Sequence, residues 1–225
     1  MTKNIAKYFD HTILSPNATE SDVRKIAEQA MEYNFYGVCV NGCWLQDVSK
    51  WLGRTETKTV AVLGFPLGAM STESKVAEAR YLVDSGAQEL DMVINIGKYL
   101  GGQKSFVEDD IAAVREVAGQ VPLKVIVETS FLDAEQIKDL TRVCVAAEVA
   151  FIKTSTGFAS RGASEDDVRL MKEVINQHAN CEMKIKASGG IRSLHDFEKM
   201  VAAGADRIGA SASVGILQEH EQQRG

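Results

Sequence analysis

Residues 59–95 read TVAVLGFPLGAMSTESKVAEARYLVDSGAQELDMVIN and hold one complete repeating unit of the chain. The run TVAVLGF (59–65) is Val-rich and reaches a glycine, which suits a strand. A helical pattern follows, with Val76, Ala79, Arg80 and Val83 on one face. Only Arg80 is polar there, and its stem can pack against apolar neighbours. Gly86-Ala87 fits the stop of that helix, and ELDMVIN (89–95) begins the next strand.

The same unit recurs on both sides. Strand-like runs stand at YFDHTIL (8–14), GVCV (37–40), LKVIVET (123–129), FIKTST (151–156), MKIKASG (183–189) and DRIGAS (206–211). Helical patterns separate them; SDVRKIAEQAMEY places Val23, Ile26, Ala27 and Ala30 on one face. Asp133, Ser164 and Ser193 precede helical patterns as N-caps, and Gly204-Ala205 fits another helix stop. Eight evenly spaced β-then-α units in 225 residues predict an α/β fold, a (β/α)8 TIM barrel forming a single domain over 1–225. The alternative is an open doubly wound sheet. No G-x-G-x-x-G opens the first unit, and no Pro- or Ser-rich linker divides the chain.

Composition narrows the class. With 45% hydrophobic and 25% charged residues, the chain reads as an ordinary globular protein. A net charge of −6 argues against a nucleic-acid partner, since such proteins usually carry a basic face. The N-terminus MTKNIAKYFDH lacks a signal-peptide apolar run, and no stretch approaches the ~18 apolar residues of a membrane span. These features lead us to expect a cytoplasmic protein without a membrane partner. Cys39 and Cys144 sit in apolar runs as small core residues, and nothing completes a metal site around Cys39 and Cys43.

Strand alternation locates the chemistry. Along ELDMVIN, Leu90, Met92 and Ile94 face the helices, and Asp91, Val93 and Asn95 point into the barrel. Along MKIKASG, Met183 and Ile185 point outward and Lys184 and Lys186 inward. Lys186 lies nearer the C-terminal end, where active sites of this fold sit, whereas Lys184 can reach solvent at the lower rim. Ile152 points outward and Lys153 inward, so two successive strands each aim a lysine at the interior. Strand one offers Asp10 and Thr12, and strand five offers Glu128.

Two buried lysines side by side repel, and burial disfavours each charged form, so both effects are expected to lower a lysine pKa. A free lysine, at about 10.4, is almost wholly protonated at neutral pH. A neutral amine attacks a carbonyl to give a Schiff base, which stabilises a neighbouring carbanion. The bland alternative is an internal salt-bridge layer with no chemistry.

The loops after strands seven and eight read ASGGIRS and RIGASASVGIL. Gly189 and Gly190 expose backbone N–H groups ahead of a helix starting near Ser193, and Gly209 and Ser211 lead into another helical run. These two loops form the usual phosphate site of the fold, which points to a small-molecule sugar phosphate as substrate.

FDHTIL, VLGFPLGA, ELDMVINIG, KVIVET, FIKTSTGF, IKASGGIR and RIGAS together resemble the 2-deoxyribose-5-phosphate aldolase family, in order, from about Ile5 to Leu217. The resemblance implies a metal-free class I aldolase in a TIM barrel, without a cofactor and often a homodimer. The expected reaction is reversible cleavage of 2-deoxy-D-ribose 5-phosphate to acetaldehyde and D-glyceraldehyde 3-phosphate. By motif, Lys153 resembles the Schiff-base lysine, Lys186 the second lysine and Asp91 the acid/base aspartate. Thr156, Gly157, Gly189, Gly190, Gly209 and Ser211 match the substrate and phosphate region. Phe158 stands where some relatives carry a lysine, and Ala212 where some carry a serine. That leaves the phosphate charge to a helix dipole and Arg192.

Two other functions compete. A sugar-phosphate isomerase or synthase on the same barrel would need a carboxylate base such as Glu128, and would leave the lysine pair unexplained. A catalytically silent barrel would bind phosphometabolites through the loops alone.

Overall fold

A computed structural model describes residues 4–223 of the chain; residues 1–3 and 224–225, the ends of the expected domain, lie outside the described residues. Eight strands carry the barrel: β1 (Phe9–Ile13), β2 (Gly37–Val40), β3 (Lys58–Leu63), β4 (Glu89–Val93), β5 (Leu123–Ile126), β6 (Phe151–Lys153), β7 (Lys184–Ser188) and β8 (Arg207–Ala210). The helices between and after them are α1 (Glu20–Glu32), α2 (Leu45–Leu52), α3 (Thr72–Asp84), α4 (Ile96–Leu100), α5 (Lys104–Ala118), α6 (Ala134–Ala146), α7 (Glu165–Asn176), α8 (Leu194–Ala203) and α9 (Ser213–Gln222). Neighbouring strands pair in parallel in sequence order, and β8 closes on β1. Closure rules out the open doubly wound sheet. The register sets Lys153 opposite Lys186 and Asp91 opposite Lys124.

The anticipated caps hold the helices. Asp133, Ser164 and Ser193 each accept a backbone N–H three residues on, and α6 and α8 begin with full capping boxes. Such caps contribute about 1 kcal/mol each. Gly204 ends α8 at φ 118°, a left-handed conformation that disfavours other residues.

One helix face differs from the periodicity. On α3 the fully buried stripe is Lys75, Ala79 and Leu82; Val76 and Val83 are half-buried and Arg80 is exposed. The reason is a buried ion pair. Lys75 Nζ lies 2.5 Å from Asp110 Oδ2 on α5, and both side chains are inaccessible to solvent. Asp110 Oδ1 also accepts from Thr72 at 2.9 Å. A lysine paired in this way occupies a core position that pattern reading leaves to apolar residues.

Alternation places the core. Leu90, Met92, Ile94, Ile152, Met183 and Ile185 pack in the main apolar layer between strands and helices. Inside the barrel, Cys39, Val60 and Val62 form a small apolar cluster with Leu14 on the β2–β3 side. The remaining strands fill the interior with charge. Several strands also stop sooner than their sequence runs. β4 ends at Val93, so Asn95 caps α4, accepting from Lys98 N at 3.1 Å, and does not line the barrel. β5 ends at Ile126, and Glu128 turns into the left-handed region at φ 53°.

Candidate active site

Asp10 from β1, Glu89 and Asp91 from β4, Lys124 from β5, Lys153 from β6, Lys186 from β7 and Arg207 from β8 meet inside the barrel; none is more than 6% exposed. Burying an ion costs several kcal/mol, so each must be matched by partners. Asp91 is the hub. Its Oδ2 accepts from Lys153 Nζ at 2.7 Å and Lys186 Nζ at 2.8 Å, and its Oδ1 accepts from Lys124 Nζ at 2.7 Å.

From the hub the contacts close a ring. Lys186 donates to Asp10 Oδ2, and Asp10 Oδ1 accepts from Arg207 Nη1 at 2.9 Å. Arg207 reaches Glu89 Oε2 at 3.4 Å, and Glu89 Oε2 returns to Lys124 Nζ at 2.6 Å. Lys153 joins this ring through Asp91 alone. Four cations (Lys124, Lys153, Lys186, Arg207) thus face three carboxylates (Asp10, Glu89, Asp91). Of the four cations, Lys153 has the fewest carboxylate partners, Asp91 alone, whereas Lys124, Lys186 and Arg207 each have two.

This balance corrects the simple repulsion argument. Burial works against the Lys186 ammonium, but Asp10 and Asp91 outweigh it and raise its pKa above the ordinary lysine value. Lys186 is therefore a fixed cation, and the expectation that both amines are depressed fails for it. Burial likewise favours the neutral Asp91 carboxyl, yet Lys124, Lys153 and Lys186 together hold its pKa well below the usual range. Both Asp10 oxygens are taken by Lys186 and Arg207, so Asp10 belongs to the ring. Thr12, half-buried two residues further along β1, donates to Asp10 O at 2.7 Å. Lys184 stands exposed at the lower rim, as alternation allows.

Above Lys153 the loops are stitched together. Ser188 N donates to Thr154 Oγ1 at 3.1 Å, and Ser188 Oγ donates to Ser155 O at 2.6 Å. Glu128 Oε2 accepts from Thr156 N at 3.1 Å and from the Thr156 hydroxyl, and Phe158 N donates to Thr156 Oγ1 at 3.1 Å. Glu128 therefore braces the 156–158 turn through Oε2, while its Oε1 is buried without a hydrogen-bond partner among the described residues. Gly157, Gly189 and Gly190 all have positive φ (88°, 83° and 77°). Gly189 also has a packing reason, since a Cβ there would lie 2.9 Å from Gly162 Cα. A Cβ on Gly209 would lie 3.1 Å from Lys186 Cε, so Gly209 makes room for that side chain.

The helix dipole expected at Ser193 is already engaged. Asp196 accepts from Arg192 N and Ser193 N, each at 3.1 Å, and Glu219 accepts from Leu194 N at 2.8 Å. The Arg192 side chain is exposed. In contrast, α9 begins at Ala212 without a side-chain cap, which leaves its first N–H groups open beside exposed Ser211. Phe158 is 52% exposed and meets Phe65 edge-on at 5.4 Å.

Sequence reasoning missed Lys124, Glu89 and Arg207. The alternation that found Asp91 and Lys186 would also have turned these three inward. It also missed the open α9 terminus, for which Ala212 in place of a capping residue was the signal.

Known proteins match this chain closely. The DeoC/LacD family aldolase model matches residues 4–218. A deoxyribose-phosphate aldolase of Clostridium novyi is 46% identical over 216 residues, 96% of each chain. One of Deinococcus radiodurans is 45% identical over 222 residues, 99% of each chain. Among solved structures, QR15, an aldolase, superposes with a TM-score of 0.92 at 38% identity, over 100% of this chain and 98% of that one. The tetrameric deoxyribose phosphate aldolase of Aeropyrum pernix gives a TM-score of 0.87 at 32% identity, over 97% and 92%.

Proposed function

The chain belongs to the DeoC/LacD family of aldolases, and from that premise we propose a Schiff-base aldolase reaction on 2-deoxy-D-ribose 5-phosphate with Lys153 as the nucleophile. The products are acetaldehyde and D-glyceraldehyde 3-phosphate, and the setting is deoxyribose phosphate catabolism. The observation that carries the assignment is the shared Asp91 Oδ2, held by Lys153 at 2.7 Å and by Lys186 at 2.8 Å inside a ring with one surplus cation.

Neutral Lys153 attacks the C1 aldehyde of the open-chain sugar. Asp91 and the Lys186 ammonium, with water, carry protons to and from the carbinolamine, and water leaves to give the imine. The C3 hydroxyl then loses its proton through the same relay as the C2–C3 bond breaks. Its electron pair passes to C2 and the imine, giving an enamine and releasing glyceraldehyde 3-phosphate. Protonation at C2 and hydrolysis free acetaldehyde and return Lys153. Relays of this kind contribute ~10²–10⁴-fold each. No step calls for a metal or cofactor.

The phosphate lies against Thr156, Gly157, Gly189, Gly190, Gly209 and Ser211. The open N-terminus of α9 supports this placement, because unpaired N–H groups and the helix dipole both attract an anion. Arg192 is exposed near the start of α8 and adds long-range positive charge. The assembly in this reading is a homodimer, as the family resemblance suggests, with the Aeropyrum pernix tetramer as the other precedent. The test is the mass in solution: twice 24.5 kDa is expected, and four times 24.5 kDa would replace the dimer with a tetramer. The four free thiols, Cys39, Cys43, Cys144 and Cys181, fit a reducing compartment such as the cytoplasm. Among the described residues, no helix is long and apolar enough to cross a membrane.

The test is covalent. Incubation with acetaldehyde, borohydride reduction and peptide mapping should place a reduced two-carbon adduct on Lys153. An unmodified Lys153 would sink the mechanism, and an adduct there removes the silent-barrel alternative.

A further inference from the structure

Glu89 opens β4 at the end of the barrel away from the loop that follows Lys153. Its Oε2 accepts from Lys124 at 2.6 Å and from Arg207 at 3.4 Å, and its Oε1 accepts from Tyr36 Oη at 2.8 Å. It forms no hydrogen bond or ion pair with Lys153 among the described contacts. It is nonetheless one of only three carboxylates balancing four buried cations.

We infer that Glu89 is a positioning residue for the reaction: from the floor of the barrel it sets the charge surplus that decides when Lys153 gives up its proton. The inference rests on the reading of Lys153 as the reacting amine. Its physical basis is the dryness of the ring. Charges at or below 6% exposure are poorly screened by water or salt, so removing one shifts the balance for all the others. Lys124 transmits the effect structurally, because it bridges Glu89 Oε2 and Asp91 Oδ1.

Every strand that faces Lys153 enters the balance. β1 supplies Asp10, β4 Glu89 and Asp91, β5 Lys124, β7 Lys186 and β8 Arg207. β2 supplies Cys39, whose thiol burial pushes up and keeps neutral. β3 turns Val60 and Val62 inward, with half-buried Lys58 at its lower end. Lys184 at the lower rim is exposed, and Glu128 beyond β5 is engaged by Thr156. The ring therefore holds a surplus of one positive charge when Lys153 is protonated. Removing Glu89's charge makes that surplus two; removing Lys124's charge makes it zero.

The experiment measures the rate of adduct formation at Lys153 with acetaldehyde, quenched by borohydride, across a pH series. In Glu89→Gln the midpoint should move to lower pH by on the order of one unit. In Lys124→Met it should move the opposite way. Tyr36→Phe removes a hydrogen bond from Glu89 but no charge, and should leave the midpoint in place. A purely structural role for Glu89 would lower stability without moving the midpoint. Unchanged midpoints in both charge variants, or shifts of the same sign, overturn the inference. If Glu89→Gln does not fold, Lys124→Met alone decides, since its midpoint must rise. A wild-type protein that traps no adduct at Lys153 overturns the aldolase mechanism itself, which is a different result from a normal wild-type trap with unmoved variants.

Discussion

Lys124 donates to Asp91 Oδ1 at 2.7 Å and so leaves Asp91 Oδ2 to be shared by Lys153 and Lys186. One oxygen is anchored from below and the other faces the two lysines of β6 and β7. The carboxylate cannot rotate away without breaking a buried ion pair.

Replacing Asp91 by Asn keeps the shape but removes the negative charge and one of the two oxygens that hold three lysines. We expect kcat for 2-deoxy-D-ribose 5-phosphate cleavage to fall by roughly 10²–10⁴-fold. A coupled assay for glyceraldehyde 3-phosphate measures it. Wild-type turnover in Asp91→Asn would remove Asp91 from the relay.

The ring should also govern acid stability. Burial alone would raise the Asp10 carboxyl, but Lys186 and Arg207 outweigh it and bring its pKa from 3.8 down to about 2. Between these values the unfolded chain binds the proton and the folded protein does not. Stability from this group is therefore present above pH 3.8 and is lost as pH falls toward 2. Its size is about 2 kcal/mol, from the linkage between pKa and folding. Denaturant midpoints should drop across this window, and by less in Asp10→Asn, whose baseline is already lower.

Under the proposed phosphate placement, Phe158 offers a ring where a cation would meet the anion. It is 52% exposed, so a lysine fits without repacking the core. Phe158→Lys should lower KM for the phosphorylated sugar several-fold, by roughly 1 kcal/mol of added attraction. KM for unphosphorylated 2-deoxyribose should stay the same, and the gain should shrink as salt is added. Equal changes for both sugars would mean that residue 158 does not face the phosphate.

The Lys75–Asp110 pair links α3 to α5 with both side chains inaccessible. Asp110→Ala leaves an uncompensated ammonium in the core and should cost about 3–5 kcal/mol. Lys75→Met with Asp110→Leu removes both charges and should recover most of that loss. Urea unfolding of the single and double variants measures the difference. Equal losses in the single and double variants would show that the pair is not the source of the penalty.

Much of this architecture is legible because its signals are local. Strand alternation has a period of two, so ELDMVIN turns Asp91 inward and MKIKASG turns Lys186 inward before any partner is known. The caps at Asp133, Ser164 and Ser193 act over three residues and were equally visible. Eight such units, evenly spaced, leave a closed barrel as the natural way to bury every strand. The motifs in KTSTG and KASGGIR add the reaction class.

Pairing is a different matter. Lys124 and Asp91 are separated by 33 residues, and Arg207 and Asp10 by 197, so no local pattern says which charges meet. Alternation names an inward face but not the depth or the partner of each side chain. The sequence alone therefore suggested two lysines that repel. The fold brings seven charges together, makes Lys186 a fixed cation and leaves Lys153 with a single carboxylate. It likewise moves the open helix terminus from α8 to α9: Asp196 engages the start of α8 locally, and Glu219, 25 residues beyond Leu194, reaches it only after the chain has folded. Electrostatic balance depends on all the charges in the dry interior at once, and the chain acquires that property only when the barrel closes.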